Sequence, residues 1–119
     1  MEKFEDLVGK VLVSVENKGN ELVFTLDTGE KYKLYHYQYC CESVSIEDVI
    51  GDLNDLVGSP ILMAEEITSE ENPEDVTKDG QDCFTWTFYK LATIKGYVTI
   101  RWYGESNGYY SEAVDWGVA

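Results

Sequence analysis

The sequence predicts an α+β fold, in which one central amphipathic helix packs against an antiparallel sheet of six or seven strands. Two observations support this prediction. Short segments of alternating apolar and polar residues form one group before residue 40 and another after residue 60, which indicates two β-meanders. Between the groups, residues 46–57 carry apolar side chains at helical spacing. A length of 119 residues suits a single domain over residues 1–119.

The first meander begins after one or two helical turns at residues 2–8, which Gly9 ends. Three alternating segments follow, separated by turns rich in Gly, Asn and Asp, at residues 10–17, 21–27 and 31–39.

The central helix is predicted from one apolar stripe between Ile46 and Val57, at about 100° per residue. Ser45 suits its N-cap, and Gly58 with Pro60 suits its end. The opposite side carries Asp48, Asp52 and Asp55.

After the helix, residues 60–68 are predicted to form a strand, and three further segments, at residues 83–91, 97–103 and 109–116, predict the second meander. Residues 69–82 contain one apolar residue, a proline and a glycine, so we expect a mobile acidic loop there.

The negative charge is concentrated in one part of the chain. The formal net charge is −14, and residues 42–82 hold thirteen acidic residues against the single base Lys78. Such a block repels nucleic acid and anionic membranes, and it attracts cations and basic protein surfaces. We therefore expect no direct nucleic-acid or membrane partner.

Neither a signal peptide nor a membrane-spanning apolar stretch is recognisable in the sequence. Three cysteines, two of them adjacent, do not resemble the disulfide framework of a secreted protein. These observations predict a reducing cytoplasm.

His36, Cys40 and Cys41 form one candidate chemical site, because imidazole and thiolate are preferred zinc ligands. Their spacing includes no C-x-x-C pair, and adjacent cysteines on an extended chain point to opposite faces. A cysteine nucleophile with His36 as its base is another interpretation, although the surrounding acids disfavour the thiolate. We expect ordinary structural side chains here, with no catalytic residue and no cofactor.

The C-terminal hairpin is a second candidate, since it combines the lone arginine with several aromatic residues. Stacking and bidentate hydrogen bonds could hold a planar or phosphorylated ligand. A structural hairpin, with the arginine neutralising a nearby acid, is the favoured interpretation. The residues are Arg101, Trp102, Tyr103, Tyr109 and Tyr110.

The acidic residues are a third candidate. Helical residues four apart are separated by about 6 Å along the axis, which resembles the spacing of successive nucleic-acid phosphates. The predicted ridge could therefore occupy a groove built for DNA or RNA. The expected partner-binding residues are Glu47, Asp48, Asp52, Asp55, Glu65, Glu66, Glu70 and Glu71.

Two long segments resemble a family of small acidic proteins encoded by bacteriophages and prophages. They are CCESVSIEDVIGDLNDLVGSPILMAEE, within residues 35–66, and TWTFYKLATIKGYVTIRWYGESNGYYSEAV, at residues 85–114. The resemblance implies an accessory gene product that acts in the bacterial cytoplasm. It brings no catalytic residue or cofactor with it.

Together these observations predict a non-enzymatic protein that binds and inhibits a host protein with a basic surface, such as a nucleic-acid-binding defence nuclease, in the manner of an anti-CRISPR protein. The alternatives are a small-ligand or nucleotide-signal binder that uses the aromatic hairpin, and a zinc or thiol protein. The sequence leaves the oligomeric state open, with a homodimer as one option.

Overall fold

The fold consists of two four-stranded antiparallel sheets. It comes from a computed structural model that describes residues 2–76 and 83–119. The first sheet has the strand order β1-β2-β3-β8 and the second β4-β7-β6-β5. The strands are β1 (Leu12–Asn17), β2 (Glu21–Leu26), β3 (Lys31–Tyr35), β4 (Ser43–Ile50), β5 (Met63–Ser69), β6 (Cys83–Thr93), β7 (Gly96–Ser106) and β8 (Asp115–Val118).

The predicted α+β class with a helix over residues 46–57 is wrong. Ser43–Ile50 forms strand β4 instead, and the only helical part of the segment is a single 3₁₀ turn at Leu53–Leu56. A bulge between Ile46 and Asp48 explains the error, because it adds one residue to the strand. Ile46 and Val49 then both face the core although they are three positions apart. That spacing in a bulged strand imitates the period of a helix.

Without the helix, the predicted acidic ridge does not exist. Asp48 lies on β4 opposite Arg101. Asp52 caps the 3₁₀ turn, where its side chain accepts a hydrogen bond of 2.9 Å from the Asn54 amide. Asp55 lies within that turn. The three carboxylates therefore do not share the regular spacing that would imitate phosphates.

Both predicted meanders contain real strand pairs. Strands β1, β2 and β3 pair in sequence order, β6 pairs with β7, and the separately predicted strand β5 pairs with β6. The final segment differs from the prediction, because β8 leaves the second group and pairs with β3 of the first sheet. The chain thus completes the first sheet with its last strand.

The hydrophobic core lies between the sheets. It combines side chains of the first sheet, such as Phe24 and Leu34, with Ile100 and Trp102 of the second. The N-terminal 3₁₀ turn Phe4–Leu7 covers one end, and the Phe4 ring lies 4.8 Å from that of Tyr89. Within the described residues, no helix is long and apolar enough to cross a membrane.

Candidate functional site

The second sheet has an inner face toward the core and an outer face away from it. Along β7, Val98, Ile100 and Trp102 join the core, so Arg101 and Tyr103 project to the outer side. The strand register places Phe88 and Asp48 beside Arg101. The outer face therefore carries a mixture of aromatic and charged side chains.

A short segment after β5, residues 70–76, crosses this outer face, and we call it the strap. The Trp86 indole nitrogen donates a hydrogen bond of 3.0 Å to the Asn72 side chain, and Arg101 binds Asp75. Trp86 is fully buried although it belongs to the outer face. The strap is the described part of the predicted mobile loop, whose residues 77–82 lie outside the described residues. The mobility of that loop stays a prediction.

Arg101 joins the sheet to the strap. Its Nε and Nη2 atoms donate to the two carboxylate oxygens of Glu47 at 2.6 and 3.0 Å, and Nη1 donates to both oxygens of Asp75 at 3.1 Å. The guanidinium also lies 5.2 Å from the centre of the Trp86 ring. The Arg101 side chain is 7% exposed. Because all three of its nitrogens are engaged, Arg101 has a structural role and is not presented to a small ligand.

The other residues of the predicted ligand site do not converge. Trp102 is fully buried in the core, whereas Tyr103 lies on the outer face. Tyr109 is exposed and contacts Tyr110, with their ring centres 5.4 Å apart. The geometry therefore does not assemble the aromatic clamp that the hairpin sequence predicts.

The acidic residues divide into those that form a salt bridge with a basic side chain, which we call matched, and those that do not, which we call unmatched. Residues 42–76 contain eleven acids and no basic residue. Glu42 pairs with His36, and Glu47 and Asp75 share Arg101. The other acids form no salt bridge with any basic side chain in residues 2–76 and 83–119: Asp48, Asp52, Asp55, Glu65, Glu66, Glu70, Glu71 and Glu74.

Most of the unmatched acids lie on or around the outer face. Asp48 and Glu65 occupy its two edge strands; their register partners are Arg101 of β7 and Lys90 of β6, with which they form no salt bridge. Glu70, Glu71 and Glu74 are exposed in the strap. We call these five residues the acidic face. Glu66 lies on the opposite side of β5 from Glu65, and its register partner is the buried Tyr89.

His36 belongs to a buried ion pair. Its Nε2 atom lies 2.8 Å from Glu42 and its Nδ1 atom 2.7 Å from the Ala113 carbonyl oxygen. Only an imidazolium can donate from both nitrogens, so the charged form satisfies this geometry fully. Burial raises the pKa of Glu42. Hydrogen bonds from the Tyr39 amide, His36 and the Cys40 amide lower it by more, to about 2.

Cys40 and Cys41 are joined by a vicinal disulfide, and Cys83 is a free, exposed thiol. With both sulfurs bonded and both His36 nitrogens engaged, these three residues do not form a zinc-ligand set or a nucleophile with its base. Across the described residues, no group of three His, Cys, Asp or Glu side chains is arranged to hold a metal ion.

Several residues that organise these sites were not predicted from the sequence. Asp75 holds the strap, Glu42 holds His36, and Glu112 accepts hydrogen bonds from Thr85 at 2.8 Å and from Ser106. A single carboxylate within an acidic chain carries no local signal of such a role. Only the pairing of distant strands brings each one to its partner.

The chain belongs to a family described as a domain of unknown function (DUF7448), whose model matches residues 5–116. No curated protein and no solved structure matches it significantly. The matched region includes strands β1 to β7 completely and the start of β8.

Proposed function

We propose that this protein is a non-enzymatic binding protein whose acidic face receives a basic surface of a protein partner. The observation that carries the proposal is the group of unmatched carboxylates in a stretch of 35 residues that lacks any base. A folded protein that retains uncompensated charge in one region has a strong local potential, which attracts ligands of opposite charge. A protein partner is favoured over DNA, RNA or an anionic membrane because those polymers and surfaces carry the same sign of charge.

The support beneath the acidic face makes it suited to recognition. Asp48 and Glu65 project from strands of one sheet, and Arg101 fastens the strap over that sheet through Glu47 and Asp75. Carboxylates held by a sheet lose less conformational freedom on binding than carboxylates in an unfolded tail. Preorganisation of this kind favours a specific contact.

The resemblance to phage and prophage proteins supports a narrower version of the proposal. In that version the protein is a phage accessory product in the bacterial cytoplasm, and its partner is a host protein whose basic surface normally meets nucleic acid, such as a defence nuclease. Binding would then block the nucleic-acid site by competition.

The proposal is tested with two variants of equal charge. The acidic-face variant carries Glu65→Gln, Glu70→Gln and Glu74→Gln, all at exposed positions. Its control removes three exposed acids elsewhere, through Glu16→Gln, Asp27→Asn and Asp115→Asn. Tagged wild-type protein and both variants are incubated with bacterial lysate, and bound proteins are identified by mass spectrometry after washing at low and high salt.

The proposal predicts a basic protein that wild type and the control retain at low salt, that added DNA or RNA displaces, and that the acidic-face variant does not retain. High salt should weaken retention, because salt shortens the distance over which exposed charges attract each other, which is about 10 Å at 0.1 M salt. Equal retention by the acidic-face variant and the wild type would contradict the proposal.

A further inference from the structure

The strap covers only part of the outer face of the second sheet. It is held at Trp86 and Arg101, on the two central strands. Elsewhere on this face, large apolar side chains remain accessible: Tyr97 is 76% exposed, Ile50 52% and Ile67 41%. The sequence predicts no function for any of these three residues.

The strand register places these apolar residues side by side. Residues that pair in antiparallel strands point to the same face of a sheet. Ile67 pairs with Phe88, and Phe88 pairs with Arg101, which belongs to the outer face. Ile50 on β4 lies diagonally opposite Tyr97, within reach of an aromatic side chain. We call the whole group the apolar patch: Ile50, Met63, Ile67, Phe88, Ala92 and Tyr97.

The apolar patch is not needed to close the core, because Val98 and Ile100 on β7 already bury the inner side of the sheet. An antiparallel sheet with one face in water normally places polar residues on that face. A contiguous apolar patch on the surface of a folded chain is typical of a protein interaction site. The patch therefore indicates a surface that another molecule covers.

Acidic residues border the patch on both sides. Asp48 lies on the edge strand β4, and Glu65 lies on the opposite edge strand β5. One base, Lys90, lies within the patch on β6. Its aliphatic stem can pack against apolar neighbours while its ammonium group stays in water. The acids of the border and of the strap outnumber this base, so the surroundings of the patch favour a positively charged partner.

The distance between the two borders fits one α-helix. Neighbouring strands are about 4.8 Å apart, so the two edge strands of this four-stranded sheet lie about 14 Å apart. An α-helix with its side chains is about 10–12 Å wide. A helix on the patch can direct an apolar stripe at Phe88 and Tyr97, and basic side chains on its flanks at Asp48 and Glu65. A single extended strand is only about 5 Å wide and would leave much of the patch in water.

We propose that the apolar patch docks an amphipathic helix of the partner protein, with apolar residues on its inner side and lysine or arginine along both flanks. This inference rests on the proposed function, since it uses the same face and the same sign of charge. It adds a source of affinity that salt does not screen, because apolar burial is not electrostatic. It also states which part of a basic partner is recognised.

The test is an NMR titration of the ¹⁵N-labelled chain with a synthetic peptide of leucine and lysine, about 18 residues long, whose leucines form one helical stripe. Amide shifts should concentrate at Ile50, Ile67, Phe88 and Tyr97 and should saturate. Two control peptides separate the contributions. Serine in place of leucine keeps the charge without the stripe, and glutamate in place of lysine keeps the stripe with the opposite charge.

The lysine–serine peptide should bind at least about tenfold more weakly, and the leucine–glutamate peptide should produce no saturable shifts. Equal affinity of the lysine–serine peptide would show binding by charge alone and would overturn the apolar contact. Equal affinity of the leucine–glutamate peptide would overturn the choice of a basic partner. Shifts of the leucine–lysine peptide that lie on β1, β2 and β3 would overturn the docking site.

A patch variant tests the surface itself. It carries Ile50→Thr, Ile67→Thr and Tyr97→Thr, all at exposed positions. Threonine favours strands, so the fold should be kept. The patch variant should bind the leucine–lysine peptide about tenfold more weakly than the wild type, because it loses most of the apolar surface that the helix would bury.

The control variant removes apolar side chains from exposed positions outside the patch, through Val13→Thr, Tyr109→Thr and Val118→Thr. It should bind the peptide like the wild type, and equal losses in both variants would overturn the patch as the docking site. If the patch variant loses the amide spectrum of a folded chain, Tyr97→Thr alone replaces it, since Tyr97 is the most exposed of its three residues.

Two further measurements separate this inference from the proposed function and from self-association. A captured basic partner that the acidic-face variant loses, but that the patch variant retains, would leave the proposed function intact and overturn the docked helix. Sedimentation of the unbound chain should show a monomer at the concentration of the titration. A dimer that the patch variant abolishes would assign the patch to a second copy of the chain and overturn the inference.

Discussion

Replacement of Arg101 by methionine should destabilise the fold, because it removes the cation that fastens the strap to the second sheet. Methionine keeps an unbranched stem against Trp86 but loses every hydrogen bond to Glu47 and Asp75. The two carboxylates would then lie near each other, over a buried aromatic ring, without a cation between them. The strap would lose its ionic attachment to the sheet.

The size of the effect follows from the exposure of each partner. Glu47 is 30% exposed, and its bidentate bonds to a buried guanidinium should contribute about 1.5–2.5 kcal/mol. Asp75 is 66% exposed, so solvent screening limits its pair to about 0–1 kcal/mol. The cation–π contact with Trp86 adds about 0.5 kcal/mol. A total loss of about 2–4 kcal/mol corresponds to a decrease in Tm of about 6–16 °C for a domain of this size.

Urea unfolding monitored by tryptophan fluorescence measures this loss, because Trp86 and Trp102 are fully buried in the native state. Glu47→Gln and Asp75→Asn, each alone and combined with Arg101→Met, complete two double-mutant cycles. The coupling energy should be larger for Glu47 than for Asp75. A loss below about 0.5 kcal/mol for Arg101→Met, or equal coupling to both acids, would refute the assignment of Arg101 as the clamp of the strap.

Three further predictions concern other parts of the chain. The pKa of Glu42 is lowered from 4.5 to about 2 in the folded state, so its contribution to stability is present above pH 4.5 and is lost as the pH falls toward 2. In acid unfolding, the difference in stability between the wild type and Glu42→Gln should therefore shrink over that pH range. A difference that stays constant would contradict the ion pair between Glu42 and His36. Thiol titration of the unreduced, unfolded chain should detect only Cys83, rising to three thiols once the Cys40–Cys41 disulfide is reduced, whereas three thiols from the start would exclude the disulfide. Gly104→Ala should lower the free energy of unfolding by about 2–3 kcal/mol, because the new Cβ would lie 2.7 Å from a backbone carbonyl oxygen. The control Gly29→Ala should lower it by only about 1 kcal/mol, because there only a φ of +91° opposes the substitution. Equal losses in urea unfolding would contradict the close packing at Gly104.

Local patterns in the sequence predicted most of the strands. In Lys31–Tyr35, for example, the buried Tyr32 and Leu34 alternate with more exposed residues, and the apolar–polar alternation of the amino acids shows this directly. The single helix was predicted wrongly because one inserted residue, at the bulge in β4, changed a period of two into a spacing of three. A bulge has no sequence signature of its own, so periodicity alone could not separate the two structures.

The charged and polar sites were harder to predict, because each depends on strands that are distant in sequence. The sequence located the block of acids and suggested that Arg101 neutralises a nearby acid. It could not identify Glu47 and Asp75 as the partners, which are separated from Arg101 by 54 and 26 residues. Glu112 was overlooked for the same reason. Thr85 of β6 and Ser106 of β7 donate hydrogen bonds to it only because the segment before β8 folds back against these two strands.

The measurement that tests the central claim most directly is the binding footprint of a captured basic partner on the ¹⁵N-labelled chain. We predict that amide shifts will concentrate on β4, β5 and the strap, including Asp48, Glu65 and Glu74, and will weaken as salt is added. Shifts confined to β1, β2 and β3, or a footprint that does not change with salt, would contradict an acidic face on the second sheet as the recognition surface.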